Sequence, residues 1–187
     1  MPKVRIPFTV RDYKALPESE TKRYELLGGE LVVVPSPTWK HQEISSRLQF
    51  HLQAFVDEHD LGHVVGAPLD VVLSEEDVVQ PDILYISHER ASIIREDGVY
   101  GAPDLIVEIL SPSTAERDRT YKKTLYARHG VQEYWIVDPA LSAVEVFTLK
   151  EESWERAALC NVEEALRSPL LPGLEISLTK VFFSRSR

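Results

Sequence analysis

One cysteine, one methionine and one asparagine are all that this chain of 187 residues contains. A lone Cys160 excludes an internal disulfide and leaves no thiolate cluster for zinc, so core packing is its expected role. No apolar run approaches the roughly 20 residues of a membrane-spanning helix. The start, MPKVRIPFTV, lacks the apolar stretch and small-residue cleavage site of a secretory leader. The expected location is therefore cytoplasmic, with no membrane partner. Positive charge is scarce too: 21 Lys and Arg stand against 30 Asp and Glu, a formal net charge of −9. That balance argues against a broadly basic nucleic-acid surface and leaves room only for a local basic strip. The shortage of Asn, Cys and Met, beside 12 prolines, is compatible with heat adaptation.

What remains is ample for a core, with 43% hydrophobic residues. The length suits one domain over 1–187. It divides into an N-terminal helix and hairpin (1–37), a core (38–138) and a C-terminal hairpin and tail (139–187). Thr9 caps a short helix carrying Val10, Tyr13 and Leu16, and YELLGGELVVV reads as two strands about a Gly28-Gly29 turn. Ile44, Leu48, Leu52, Phe55 and Val56 recur at helical spacing, which predicts a helix over 38–59. HVVGAPLDVVL and VVQPDILYIS read as paired extended segments, and a short helix is expected around Glu89 and Arg90. PDLIVEIL is apolar on both faces, as a strand covered from both sides must be. After it, Ser113-Thr114-Ala115-Glu116 has the form of a capping box for a helix running to His129, with Gly130 beyond its end. QEYWIVD is another strand, in which Tyr134 and Trp135 are packing residues, and AVEVFTLKEESWERAAL is a hairpin. The expected class is α/β: a mixed sheet flanked by helices, with hairpins in the N- and C-terminal parts.

The chemistry concentrates on two carboxylates. Asp82 follows Pro81 at the mouth of an apolar strand, and Glu108 sits inside PDLIVEIL. By the period of two, Asp104, Ile106, Glu108 and Leu110 share a face. A carboxylate among buried aliphatics is costly unless it is paired or bound to metal. Asp104, at the strand entrance, suits a loop-capping role instead. From Glu108 to the expected cap at Ser113 an extended chain advances roughly 16 Å. Nine helical residues back to Lys122 return roughly 13 Å, so an antiparallel helix brings Lys122 to the level of Glu108. Asp118, Lys122 and Tyr126, spaced by four, form one stripe. Two carboxylates holding Mg²⁺ or Mn²⁺ beside a lysine suit phosphodiester hydrolysis, the metal polarising the phosphate and the ammonium stabilising developing charge.

These blocks carry a resemblance. VVQPDILYIS, GAPDLIVEILSPST, the Asp118, Lys122 and Tyr126 segment, GVQEYWIVDP, YELLGGELVVVPSP, HQEI and SPLLPGLEI together resemble the Uma2 (DUF820) family of the PD-(D/E)XK nuclease superfamily, over nearly the whole chain. The resemblance implies a mixed sheet flanked by helices and metal-dependent DNA cleavage, with a homodimer as the default assembly. It makes Asp82 the motif aspartate and Glu108 the acid of the E-x-K element, both metal ligands. The chain departs from that pattern at Leu110, where a lysine is expected, and Lys122 is the candidate replacement.

Further candidates are His41 and Glu43 near the start of the long helix, and Glu25 in the first hairpin. Arg117, Arg119 and Lys123 give a basic helical segment that could meet phosphates. Simpler roles stand beside each of these: a strand cap for Asp82, a buried ion pair for Glu108, a solvated helix residue for Lys122. Glu43 also suits the helix dipole, Glu25 an exposed strand, and the basic residues a wet face. The competing function is a non-catalytic nucleic-acid-binding or accessory protein that keeps the nuclease fold, favoured by Leu110 and the acidic charge. A self-associating structural protein is the third.

Overall fold

The computed structural model describes residues 6–17 and 22–182; the ends of the expected 1–187 unit and residues 18–21 lie outside them. After α1 (Val10–Lys14), β1 (Arg23–Leu27) and β2 (Glu30–Val34) form the first hairpin. Its two-residue turn holds Gly28 at φ +57° and Gly29 at φ +73°, the left-handed pair that such a turn requires. Then come α2 (Trp39–Glu58), β3 (Gly62–Gly66), β4 (Val71–Ser74), β5 (Asp77–Val79) and β6 (Ile83–Ser87). A 3₁₀ turn (His88–Ile93) leads to β7 (Ile94–Arg95), β8 (Gly98–Tyr100) and β9 (Leu105–Ile109). The helical segment that follows is α3 (Ala115–Arg117), a π-turn (Asp118–Lys122) and α4 (Lys123–His129). Last are β10 (Glu133–Asp138), β11 (Ala143–Lys150), β12 (Ser153–Asn161), β13 (Ala165–Arg167), β14 (Glu175–Ser177) and α5 (Leu178–Val181).

Where the sequence predicts one mixed sheet, the structure has two, each six-stranded. One runs β12-β11-β10-β9-β6-β3, the other β2-β1-β5-β4-β8-β7. Both are mixed: β9 and β10 run parallel in the first, β4 and β8 in the second, and their other neighbours are antiparallel. A separate β13–β14 ribbon completes the strands. Each long run read as one extended segment is divided between the sheets. HVVGAPLDVVL breaks at Pro68 into β3 and β4, and VVQPDILYIS breaks at Pro81 into β5 and β6. Proline has no N–H to give a ladder, so it sits at the crossing.

The first sheet is covered on both faces. Leu105, Val107, Ile109, Trp135 and Val137 meet Ile44, Leu48, Leu52 and Val56 of α2, together with β14 and α5. Ile106, Ile136, Leu84 and Ile86 meet Leu125 and Tyr126 of α4 and the second sheet's Val71, Val79 and Val99. Tyr134 and Trp135 are buried as expected, and so is Cys160.

The α2 helix starts at its predicted cap, Thr38, whose Oγ1 accepts the His41 N–H at 3.2 Å. The other predicted start is displaced. Thr114, not Ser113, is the cap, with no side-chain cap bond. Its hydroxyl accepts the Ser111 N–H at 3.3 Å and meets Ser111 Oγ at 3.0 Å. The hydroxyls tie this loop to itself instead of closing a capping box. The far end agrees with the sequence, at His129 with Gly130 left-handed at φ +81°.

Candidate active site

Strand period sends Glu108 to the α4 side of β9, away from Leu105, Val107 and Ile109. Ile83 pairs with Val107 across β6 and β9, so Asp82, the residue just before β6, lies beside Glu108. Asp82 Oδ2 accepts the Ile109 N–H at 2.7 Å and stands 3.3 Å from His41 Nε2. From the helical segment, Lys122 Nζ donates to Glu108 Oε1 at 3.0 Å, and Tyr126 Oη donates to the same oxygen at 2.6 Å. From the second sheet, Glu25 brings Oε1 to 2.7 Å from Lys122 Nζ and accepts the Gln80 N–H at 2.9 Å. Asp118 Oδ1 is 3.6 Å from Lys122 Nζ. One ammonium thus meets three carboxylates contributed by β1, β9 and the π-turn.

All four partners are buried: Glu25 is 1%, Asp118 2%, Glu108 4% and Lys122 4% exposed. Burial pushes the Glu108 carboxyl well up; Lys122 opposes this, while Asp118, Asp82 and Glu25 add to it. Asp118 is raised for the same first reason, against Lys122. For Lys122 burial pulls downward, but Glu108, Glu25 and Asp118 outweigh it and hold the ammonium above its ordinary range. His41 is raised as well: burial lowers it, and the Asp82 carboxylate more than offsets that. Glu25 Oε2 and Asp118 Oδ1 are buried with no hydrogen-bond partner.

A pocket of about 430 Å³ opens on this cluster, with Glu25, Asp82, Glu108, Asp118 and Lys122 in its walls. Glu25, given an exposed alternative by the sequence, is among the deepest residues here, and Lys122 is no solvated helix residue. Arg117 and His41 line the pocket too. Arg23 and Gln80 also line it, and sequence reasoning missed both. Arg23 was signalled only by sharing a strand face with Glu25.

Three candidates lie elsewhere. Glu43 turns to Arg47, one helical turn on, at 2.6 Å, and is absent from the pocket wall. Arg119 points to Glu145 and to Asp138 at 3.4 Å, at the β10 and β11 side. Lys123 lies over the Phe147 ring, 3.3 Å from its centroid. The basic segment is therefore split, and only Arg117 faces the pocket. Asp104 does cap a loop, accepting from Ser87 N at 2.8 Å and Gln132 Nε2 at 2.8 Å.

Among the described residues no helix is long and apolar enough to cross a membrane. An uncharacterized protein of Synechocystis sp. is 24% identical over 138 residues, 73% of this chain and 78% of that one. The crystal structure of a "putative nuclease belonging to DUF820" from Anabaena variabilis superposes with a TM-score of 0.78. It is 23% identical, with 94% of this chain and 98% of that one covered. At that identity the likeness concerns the fold. The model of the Uma2 family, described as "putative restriction endonuclease", matches residues 10–179. A match over that much of the sequence makes the chain a member of the Uma2 family.

Proposed function

We propose that this protein is a metal-dependent endonuclease acting on DNA, with Asp82, Glu108 and Lys122 as its reacting set. The observation that carries the reading is the pairing of Lys122 with Glu108 inside a pocket lined by four carboxylates. Family membership supports the reaction class.

Among the described residues no three His, Cys, Asp or Glu side chains form a ready metal cage. The donors nevertheless fit Mg²⁺ or Mn²⁺. These are hard ions that take carboxylate oxygens, and Mg²⁺ keeps several waters and needs only one or two protein carboxylates. Asp82, just before β6, and Glu108 on β9 supply two, and Glu25 Oε2 and Asp118 Oδ1, buried without a hydrogen bond, add oxygen donors that suit a cation. When bound, the ion would polarise the phosphate and acidify a water.

The residues do the rest. Tyr126 and Lys122 fix the Glu108 carboxylate from one side, leaving its other oxygen for the pocket. The Ile109 N–H and His41 hold Asp82. Lys122, kept protonated by its three carboxylates, stabilises negative charge on the phosphate and is unsuited to act as a base. A homodimer is the proposed assembly, since two such sites can address two strands.

The test is nicking of supercoiled plasmid with Mg²⁺ or Mn²⁺ by wild type, Glu108→Ala and Lys122→Ala. Metal-dependent nicking lost in both variants is the expected result. Nicking that survives Lys122→Ala removes the lysine from the reacting set. A wild type that binds DNA but cleaves nothing, across substrates and metals, replaces the enzyme with an accessory binder. Leu110 is the observation that favours that second reading.

A further inference from the structure

Two arginines in the pocket keep donors that the acid cluster does not occupy. Arg23 begins β1 two residues before Glu25, which puts both on one strand face. It lines the pocket and lies near enough to His41 to act on its charge. Its guanidinium makes no hydrogen bond or ion pair among the described residues. Arg117 comes from α3. Its Nη2 stands 4.0 Å from Glu25 Oε2, and its Nε is buried with no partner. A guanidinium carries five N–H donors and does not shed its proton. Both residues therefore hold donors that suit anionic oxygen, while Glu25 and Glu108 already share Lys122.

A polyanion approaching a protein of net charge −9 meets general repulsion, to which the four carboxylates of the pocket add. Productive binding needs local positive charge at the pocket itself. Arg119 and Lys123 do not supply it, being held by Glu145, Asp138 and Phe147. Arg23 and Arg117 are placed to do so.

We propose that Arg23 and Arg117 form a phosphate clamp. Their guanidinium forks hold a phosphodiester of the nucleic-acid strand at the pocket, positioning it over the acid cluster. The proposal rests on the nuclease reading for its substrate class. It deepens that reading by assigning the substrate contact, including one residue, Arg23, outside the basic helical segment.

The experiment uses wild type, Arg23→Ala, Arg117→Ala, Arg23→Lys and Arg117→Lys, with Arg119→Ala as a control outside the pocket. The probe is a short fluorescent single-stranded oligonucleotide. Binding is measured over a salt series with Ca²⁺ in place of Mg²⁺, and cleavage is followed separately with Mg²⁺. Each pocket alanine is expected to raise KM about tenfold with kcat much less changed, the pattern of lost uniform binding. Each should also lower the slope of log affinity against log salt by about 0.7, as for one phosphate contact on a single strand. The lysine variants should recover the slope but not the full KM, since lysine keeps the charge and loses the fork. Arg119→Ala should match wild type. A role limited to balancing Glu25 predicts altered melting temperature with slope and KM unchanged, and that result overturns the clamp. If an alanine variant does not fold, its lysine counterpart decides: unchanged KM overturns the proposal. Arginine-dependent binding without cleavage keeps the clamp and removes the nuclease. A wild type that neither binds nor cleaves overturns both.

Discussion

Glu108 and Glu133 lie on adjacent parallel strands, both buried, and face opposite layers of the same sheet. Glu133 is wholly enclosed, and neutral donors occupy it: Trp135 Nε1 at 2.6 Å, Ser168 Oγ at 2.7 Å and the Leu170 N–H at 2.8 Å. Those bonds pin the loop before β14 against the sheet. Glu108 instead has a cation, a phenol, three further carboxylates nearby and a pocket in front. Burial raises both carboxyls. The difference lies in what surrounds the raised group. Where neutral hydrogen bonds occupy the oxygens the carboxylate is a fastening; where charged groups crowd it and a pocket opens in front, it is a candidate site.

The largest effect should come from removing one charge from each member. Glu108→Gln is expected to lower metal-dependent cleavage by about 10³-fold, the scale seen when a transition-state stabiliser is lost. Glu133→Gln should leave cleavage per folded molecule unchanged. Single-turnover plasmid nicking makes the measurement, and equal losses in both variants would erase the distinction.

Next comes stability. Lys122→Met leaves buried Glu25, Glu108 and Asp118 without their ammonium, and breaking such a set should cost about 3–5 kcal/mol. Urea unfolding would read it. Adding Glu108→Gln should restore part of the loss, because one of the stranded charges is then gone.

The third test sharpens the Glu133 side. Burial holds its carboxyl above the usual range, so the folded protein keeps that proton to higher pH than the unfolded chain does. Its contribution is fully present below the unfolded pKa and is lost as pH rises through the folded one. Glu133→Gln removes this titration. Urea unfolding from pH 4 upward should show the variant gaining on wild type as pH rises; parallel curves would contradict the assignment.

The smallest effect belongs to Glu43. An i,i+4 pair with Arg47 on a half-exposed face is worth roughly 0.5 kcal/mol at most. Glu43→Ala should change unfolding by no more than that and leave nicking untouched.

Much of the Glu108 side was legible because it depends on local periods. Strand alternation chose the face of Glu108, and rise per residue brought Lys122 to it, within hydrogen-bond distance in the structure. Glu25 was harder, since its contact with Lys122 depends on how two sheets meet, and no spacing along the chain encodes that. The two-sheet arrangement was hidden for a related reason. An apolar run that crosses at Pro68 or Pro81 has the same composition as one continuous strand. The Glu133 fastening escaped notice because its partners, Ser168 and Leu170, are 35 and 37 residues away. Arg119 and Lys123 looked like companions of Arg117 because charge along a helix says nothing about which face each residue takes.

The π-turn from Asp118 to Lys122 has a further meaning. One added residue in a helix advances its phase by about 100°, and such insertions are frequent at functional sites. The segment therefore carries two angular settings. α4 is locked against the sheet by Leu125 and Tyr126, whereas Asp118 and Arg117 upstream answer to the phase the insertion gives them. Shortening the turn by one residue would leave Lys122 and Tyr126 in place and swing Arg117 away from Glu25, separating the proposed phosphate contact from the acid cluster. Helical phase is thus a variable that relatives with the same side chains could tune independently of composition.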